Sequence, residues 1–437
     1  MSAGRLKVLM LGWEYPPIMA GGLGTACYGL CNALKAHADI TLILPKSSAA
    51  MVQDNLQILG VNQYGLDHAA EVEQPPRRWE EIVEEVIEVP GNELHPYPIS
   101  AVHKRVIEHL KFDPSDHEEV RALYETDEPY GANIMLKVAV YAEVVSKLAL
   151  TKDFDIIHAH DWVTYTAGVR IKELTGKPLV VHVHSLETDR IGTQAKYMQA
   201  NAVYDIERHG MTEANLCIPV SHFTKQCAAD HYGINPDKCR PVYNAIDPEP
   251  TYRIDRAEGD KIVLFLGRIT FQKGPEYMAE TAYKVLQRYP KVVFFVAGIG
   301  DQLDQLKHRV EQLGIRDKFV FGGFLKKAQV KQVLAQADVY FMPSVSEPFG
   351  LSALEAAQFQ IPCVLSTQAG VSEVMDFALK ADYWDTDRFA NYIYALLNYE
   401  GIRQELIEHT TENLEEMSWD RSARDVLSVY HEALTQG

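Results

Sequence analysis

Two carboxylates in one short segment raise the first chemical question. In Ser346-Glu347-Pro348-Phe349-Gly350-Leu351-Ser352-Ala353-Leu354-Glu355-Ala356, Glu347 and Glu355 have seven residues between them. Proline and glycine put Glu347 in a turn, and the residues from Ser352 onward read as helix. The two carboxylates then bracket one helix start. Carboxylates accept hydrogen bonds from sugar or ribose hydroxyls, and a helix N-terminus with an open Gly350 backbone favours an anion. Glu355 sits beside Ala353, Leu354, Ala356 and Ala357, an apolar setting in which a ligand hydroxyl is a fitting partner.

Cations with matching chemistry stand upstream. Gly267-Arg268 ends an apolar run, and Lys273-Gly274 follows just before a helical stretch. Ligands of open α/β sheets bind at the carboxyl ends of strands, so Arg268 and Lys273 read as a pyrophosphate clamp. A second phosphate candidate is Gly21-Gly22-Leu23-Gly24, between a strand and an apolar-periodic segment, with Thr25 as the expected helix cap. It lacks the spacing of a dinucleotide fingerprint. Four histidines complete the set, in His158-Ala159-His160-Asp161-Trp162 and Val181-His182-Val183-His184. They invite a zinc hypothesis. Two pairs on separate strands, with half of each pair expected to point into the sheet packing, favour instead one strand-end histidine bonded to a sugar. No metal site is expected.

These residues need a scaffold. Short apolar runs alternate with longer amphipathic ones, the pattern of a parallel sheet covered on both faces. The first series reads as strands at 7–11, 40–44, 156–158, 179–182 and 216–220. The second reads at 262–266, 292–297, 319–321, 339–342 and 363–366. Helices are expected at 274–288, 301–313 and 327–335. Two series imply two doubly wound domains, at 1–247 and 248–412, with a tail at 413–437. A polar stretch near 247–260, containing Pro248 and Pro250, marks the joint. An acidic insertion at 52–130, with Pro75, Pro76 and a Glu-rich run at 80–88, reads as decoration on the first domain.

Bulk composition narrows the classes. The 437 residues carry 42 Lys and Arg against 60 Asp and Glu, a net charge of −18. That excludes phosphate-backbone binding as the main task, so no nucleic-acid partner is expected. The six cysteines form no Cys-x-x-Cys pair and read as reduced, mostly buried thiols. No leader-like start and no run of 18 apolar residues are seen, so a cytoplasmic protein without stable membrane insertion is expected.

Taken in order, the motifs resemble the retaining GT-B glycosyltransferases of family 4, the glycogen synthase and sucrose synthase type. Glu14-Tyr15-Pro16-Pro17 through Gly24 resembles the family's first loop. His158 to Trp162 resembles its HxHDW strand, and Ser185-Leu186-Glu187 its HSLE neighbourhood. Ile218-Pro219-Val220-Ser221 and Tyr243-Asn244-Ala245-Ile246-Asp247 resemble two further segments, with Ala245 replacing a glycine. The resemblance covers nearly the whole chain. It implies two Rossmann-like domains facing a central cleft, and a C-terminal helix, carrying Trp419, that crosses back to the first.

The resemblance also implies roles. Arg268 and Lys273 would hold the diphosphate of a nucleotide sugar, with Gly22 against the pyrophosphate. Glu355 would bind the ribose and Glu347 the donor sugar, with Phe349, Gly350 and Leu351 lining the donor site. His184 would contact the sugar at the catalytic centre, and Asp161 and Glu14 would lie on the acceptor side. The implied reaction moves a hexosyl unit, glucosyl first, from a UDP- or ADP-sugar to a glycan or small hydroxyl acceptor. Configuration is retained, and neither metal nor cofactor is required. One position departs: starch and glycogen synthases of the neighbouring family carry lysine two residues before the paired glycines, and here it is Met19. That weakens an ADP-glucose-specific reading. The alternatives are a non-hydrolysing sugar-nucleotide epimerase and a catalytically silent sugar-nucleotide-binding protein. The residues assign no oligomeric state.

Overall fold

The computed structural model describes residues 5–19, 21–47, 55–63, 117–125, 130–131, 133–192, 201–254 and 259–436. Pro75, Pro76 and the acidic run at 80–88 lie outside the described residues. The chain divides into two compact units. One comprises Met1–Val220, Thr224–Asn244 and Trp419–Gly437; the other comprises Ser221–Phe223 and Ala245–Ser418.

The first unit is built on β1 (Leu6–Leu11), β2 (Ala38–Leu44), β3 (Leu56–Gly60), β4 (Ile156–His160), β5 (Leu179–Val183) and β6 (Leu216–Pro219). Its helices are α1 (Gly22–Leu34), α2 (His117–Tyr124), α3 (Ile134–Ala149), α4 (Trp162–Thr175), α5 (Glu187–Ile191), α6 (Ala202–Glu213) and α7 (His222–Tyr232), which begins in the other unit. The sheet runs β3-β2-β1-β4-β5-β6, and every pairing is parallel. Apolar runs rich in β-branched residues suit strands buried on both faces. Strand β3 lies within the stretch read as insertion, so part of that stretch extends the sheet. α2 belongs to the same stretch.

The second unit carries β7 (Lys261–Leu266), β8 (Val292–Ala297), β9 (Phe319–Gly323), β10 (Val339–Met342), β11 (Cys363–Ser366) and β12 (Leu379–Ala381). They pair in parallel in the order β12-β11-β10-β7-β8-β9. Its helices are α8 (Pro275–Leu286), α9 (Leu303–Gln312), α10 (Lys327–Leu334), α11 (Leu351–Gln358), α12 (Thr386–Asn398) and α13 (Glu400–Glu416). Each unit has its own buried core; Leu9, Ile157 and Val181 belong to one, and Val263, Phe294 and Phe341 to the other.

The last helix, α14 (Trp419–Gln436), is part of the first unit and packs on α1. A Cβ at Gly29 would lie 2.1 Å from the Trp419 ring, so only glycine permits this crossing. Ser422 donates to the Tyr243 carbonyl at 2.7 Å, and Arg240 pairs with Glu432 at 2.6 Å. Among the described residues no helix is long and apolar enough to cross a membrane.

Candidate functional site

Each sheet reverses its strand order at one point, and Arg268, Lys273, Glu347, Glu14 and Asp161 sit on the loops beside it. In the second unit the reversal falls between β7 and β10. Loops that leave adjacent parallel strands in opposite directions open a crevice there. Arg268 follows β7 and is exposed; among the described residues it makes no ion pair. Lys273 closes the same loop. Its Nζ pairs with the carboxylate of Glu347, which follows β10 and is buried. The structure thus joins two residues that the sequence reading assigned to different parts of one ligand.

Gly350 precedes α11 with φ 111°, a conformation that favours glycine. Gly350 offers no side chain to cap this helix start. The first-turn amides of Leu351 and Ser352 therefore sit at a positive dipole end beside the Lys273–Glu347 pair. Phe349 is buried beneath the turn. Glu355, one helical turn further along, is mostly buried, and burial pushes its carboxyl above the ordinary range. Lys327 draws it down and Glu249 pushes it further up.

In the first unit the reversal falls between β1 and β4. Glu14, after β1, is buried, accepts the Gly21 amide at 3.1 Å and accepts the Tyr130 hydroxyl at 2.6 Å. It ties the glycine loop to the body of the unit. Gly22 is the first residue of α1 and is exposed. The cap is Gly21, with no side-chain cap bond, so Thr25 lies inside the helix and does not cap it. Asp161, after β4, adopts φ 58°. Its carboxylate accepts the amides of His184 at 2.8 Å and Ser185 at 3.2 Å, which fixes the loop after β5. Burial pushes its carboxyl up to about 6, against the pull of Arg190 and these amides.

The histidines differ from the expected arrangement. Residues two apart on a strand share a face, so neither pair is split between faces. His158, His160, His182 and His184 stack in one array, with neighbouring ring centroids 4.2–5.3 Å apart. His158 Nε2 meets His182 Nδ1 at 3.2 Å, and His160 Nδ1 meets His184 Nε2 at 2.9 Å. Tyr430 of α14 meets His158 Nδ1 at 2.6 Å. Burial holds all four rings well below the usual imidazole range, and neighbouring rings add to this for His158, His182 and His184. They are neutral at pH 7. His184 alone is partly exposed.

Residues 7–234 match the model of the starch synthase catalytic domain, which is more than half of the chain. The chain belongs to the starch synthase catalytic domain family. Residues 252–413 match a second model, glycosyl transferases group 1, and the protein is a glycosyltransferase. Its relatives in this broad group include an uncharacterized glycosyltransferase of Methanocaldococcus jannaschii, 27% identical over 98% of this chain and 99% of the relative. A glycogen synthase of Mycobacterium tuberculosis is 23% identical over 85% of this chain and 80% of its own. Among solved structures, the sucrose-phosphate synthase of Thermosynechococcus elongatus aligns with TM-score 0.68 and 16% identity, over 99% of this chain and all of its own. HepE of Anabaena, solved with UDP and glucose, aligns with TM-score 0.63 and 13% identity, over 98% of this chain and all of its own. The fold is GT-B.

This starch synthase family member holds its first-unit loop with residues that the sequence reading did not single out. Arg190 is buried and bonds Glu187 at 2.7 Å, Glu207 at 2.6 Å and the Ser185 hydroxyl at 2.7 Å. Asn201 donates to Glu187 at 3.0 Å, and Tyr232 donates to Glu207. Burial pushes the Glu207 carboxyl upward despite Arg190. Arg190 stands three residues after Glu187, a helical spacing that could have flagged it. Glu207 and Tyr430 carry no local signal, because Glu207 reaches Arg190 and Tyr430 reaches His158 from distant helices.

Proposed function

We propose that this protein is a family 4 enzyme that transfers a hexosyl unit, glucose first, from a nucleoside diphosphate sugar to a hydroxyl acceptor with retained anomeric configuration. The observation that carries the reading is the arrangement at the second sheet's reversal point. An exposed guanidinium, a lysine–glutamate pair and an uncapped helix start meet there. Charge builds on the leaving diphosphate as the glycosidic bond breaks. Arg268, Lys273 and the α11 amides stabilise it in place, with no metal or cofactor required.

Glu347 and Glu355 hold hydroxyls of the sugar and the ribose. His184 contacts the sugar, and Asp161 and Glu14 support the acceptor side. The leaving phosphate helps to deprotonate the acceptor, so the carboxylates orient the donor rather than attack it, unlike paired-carboxylate hydrolysis. The HepE complexes with UDP and UDP-glucose support a uridine donor. The glycogen synthase relative and a D-inositol 3-phosphate glycosyltransferase of Acidothermus cellulolyticus span glucan and small acceptors. We place the reaction in the cytoplasm.

A panel of UDP-, ADP- and GDP-sugars tests this, scored by released nucleoside diphosphate with and without glucan or inositol phosphate acceptors. Acceptor-dependent release from one donor is expected, and the product's anomeric coupling constant reads retention. An epimer formed from UDP-GlcNAc, or tight binding without release from any donor, would overturn the transferase chemistry.

A further inference from the structure

The stacked histidines hold more nitrogen donors than the fold uses. A neutral imidazole has one N–H and one lone pair. Across the His160–His184 bond, one ring donates and the other accepts. The donating ring keeps a bare lone pair on its outer nitrogen, and the accepting ring keeps an N–H. Those outer atoms are His160 Nε2 and His184 Nδ1, and both are buried without a hydrogen-bond partner among the described residues. Whichever tautomers form, one buried lone pair faces no donor. His182 Nε2 is in the same condition. Native interiors rarely tolerate such groups, so several at one place point to a ligand.

Cys27 of α1 supplies a different kind of donor. One ligand atom each from Cys27, His160 and His184 lie within 4.8 Å of one another. Tetrahedral zinc, with bonds of about 2.0–2.3 Å, sets its ligands roughly 3.3–3.8 Å apart, so small side-chain rotations would close this set. His158, His160 and His182 form a second group of the same tightness, sharing His160. Its three members are all buried and neutral, so a dication there would lie sealed without a counter-charge. The cysteine group has a thiol that a bound metal can deprotonate, although burial pushes the free Cys27 thiol upward, and its His184 is partly exposed.

We propose that Cys27, His160 and His184 form a three-ligand site for a borderline or soft divalent cation, Zn²⁺ in the first place, with a fourth position open. Binding exchanges the thiol proton for the metal: the S–H bond breaks, an S–M bond forms, and the proton leaves to solvent. Affinity therefore rises with pH. An ion held here also takes a nitrogen of His184. On the proposed transfer reading, which this consequence alone requires, the bound ion switches the enzyme off.

Cobalt reports the site directly. The full chain, stripped with chelator, is titrated with Co²⁺ and followed by absorption. One equivalent should bind with visible bands of a tetrahedral ion and a near-ultraviolet thiolate-to-cobalt band. Cys27→Ser should abolish the near-ultraviolet band and weaken Zn²⁺ binding about tenfold or more, whereas Cys31→Ser should bind as the parent does. Absence of the thiolate band in the parent, or its survival in Cys27→Ser, overturns the site. Should Cys27→Ser not fold, X-ray absorption of the zinc-loaded parent decides, since a shell without sulfur has the same consequence. In the activity arm, Zn²⁺ should stop nucleoside diphosphate release by the parent and spare Cys27→Ser. Cobalt binding as described with release undiminished supports the site and overturns the role given to His184.

Discussion

Arg268 and Lys273 carry the same charge in unlike surroundings. Lys273 is engaged with buried Glu347, so it is oriented before any ligand arrives. Arg268 is exposed, and its planar fork suits two phosphate oxygens at once. Arg268→Ala should therefore lower kcat/KM for the donor by about 10²–10³-fold, the usual effect of deleting one oriented donor to developing charge. The far-ultraviolet dichroism should not change. Turnover near that of the parent would remove Arg268 from the clamp. Glu355 makes a different prediction. Burial raises its carboxyl above the ordinary range, so it takes up a proton at a higher pH than a surface glutamate. On the proposed reading, its carboxylate accepts from both ribose hydroxyls. Donor affinity should therefore weaken as pH falls through that raised value, and Glu355→Gln should bind more weakly with a flatter pH response. Calorimetry of donor binding between pH 5 and 8 reads both, and an unaltered pH profile in the variant would contradict the ribose role.

At the scale of elements, β4 and β5 place four neutral imidazoles under one sheet face, and this has a cost in acid. Folded, the rings stay neutral far below pH 6.5; unfolded, they protonate near that value. Below pH 6.5 the unfolded chain binds more protons at these sites, so stability falls with pH. Asp161 and Glu207 oppose this, since both hold a proton more tightly when folded. At pH 5 the four rings outnumber the two carboxyls, which leaves a net uptake of protons on unfolding. Urea midpoints of the first unit should drop from pH 7 to 5, and His158→Gln should lessen the slope. A midpoint independent of pH would mean that the folded array accepts protons. The strands themselves were legible, because runs such as Val292–Ala297 and Val339–Met342 are apolar and bounded by turn residues. Two were not. Leu56–Gly60 follows β2 closely, in a stretch whose acidic composition hid it, and Leu379–Ala381 is three residues long with a lysine at its centre. The loops after β7 and β10 could be read because glycine, proline and charge mark strand ends locally. The histidine array could not, because its contacts join adjacent strands and a helix some 270 residues away in sequence (Tyr430 on His158).

Across the whole molecule, chain order and structural membership part company at Trp419. Everything from Ala245 to Ser418 builds one unit, and the last helix then completes the other. α14 buries Trp419, Ala423, Val426, Val429, Tyr430 and Ala433, and Tyr430 ties it to the histidine array. Burying side chains of this size contributes on the order of 10 kcal/mol, comparable with the net stability of a whole domain. A chain ending at Ser418 would lose that contribution from the first unit while keeping every residue of the second and its separate core. Loss should therefore be one-sided. Hydrogen exchange of the truncated chain should show β1, β4 and β5 exchanging rapidly while β7, β8 and β10 stay protected. On the proposed reading, nucleotide binding by Arg268, Lys273 and Glu355 should survive, because none of them belongs to the first unit, whereas transfer should vanish with the loop that Asp161 and Arg190 hold. Equal loss of protection in both sheets would show that the two cores fold as one cooperative unit, and equal retention would show that α14 contributes far less than its buried face implies.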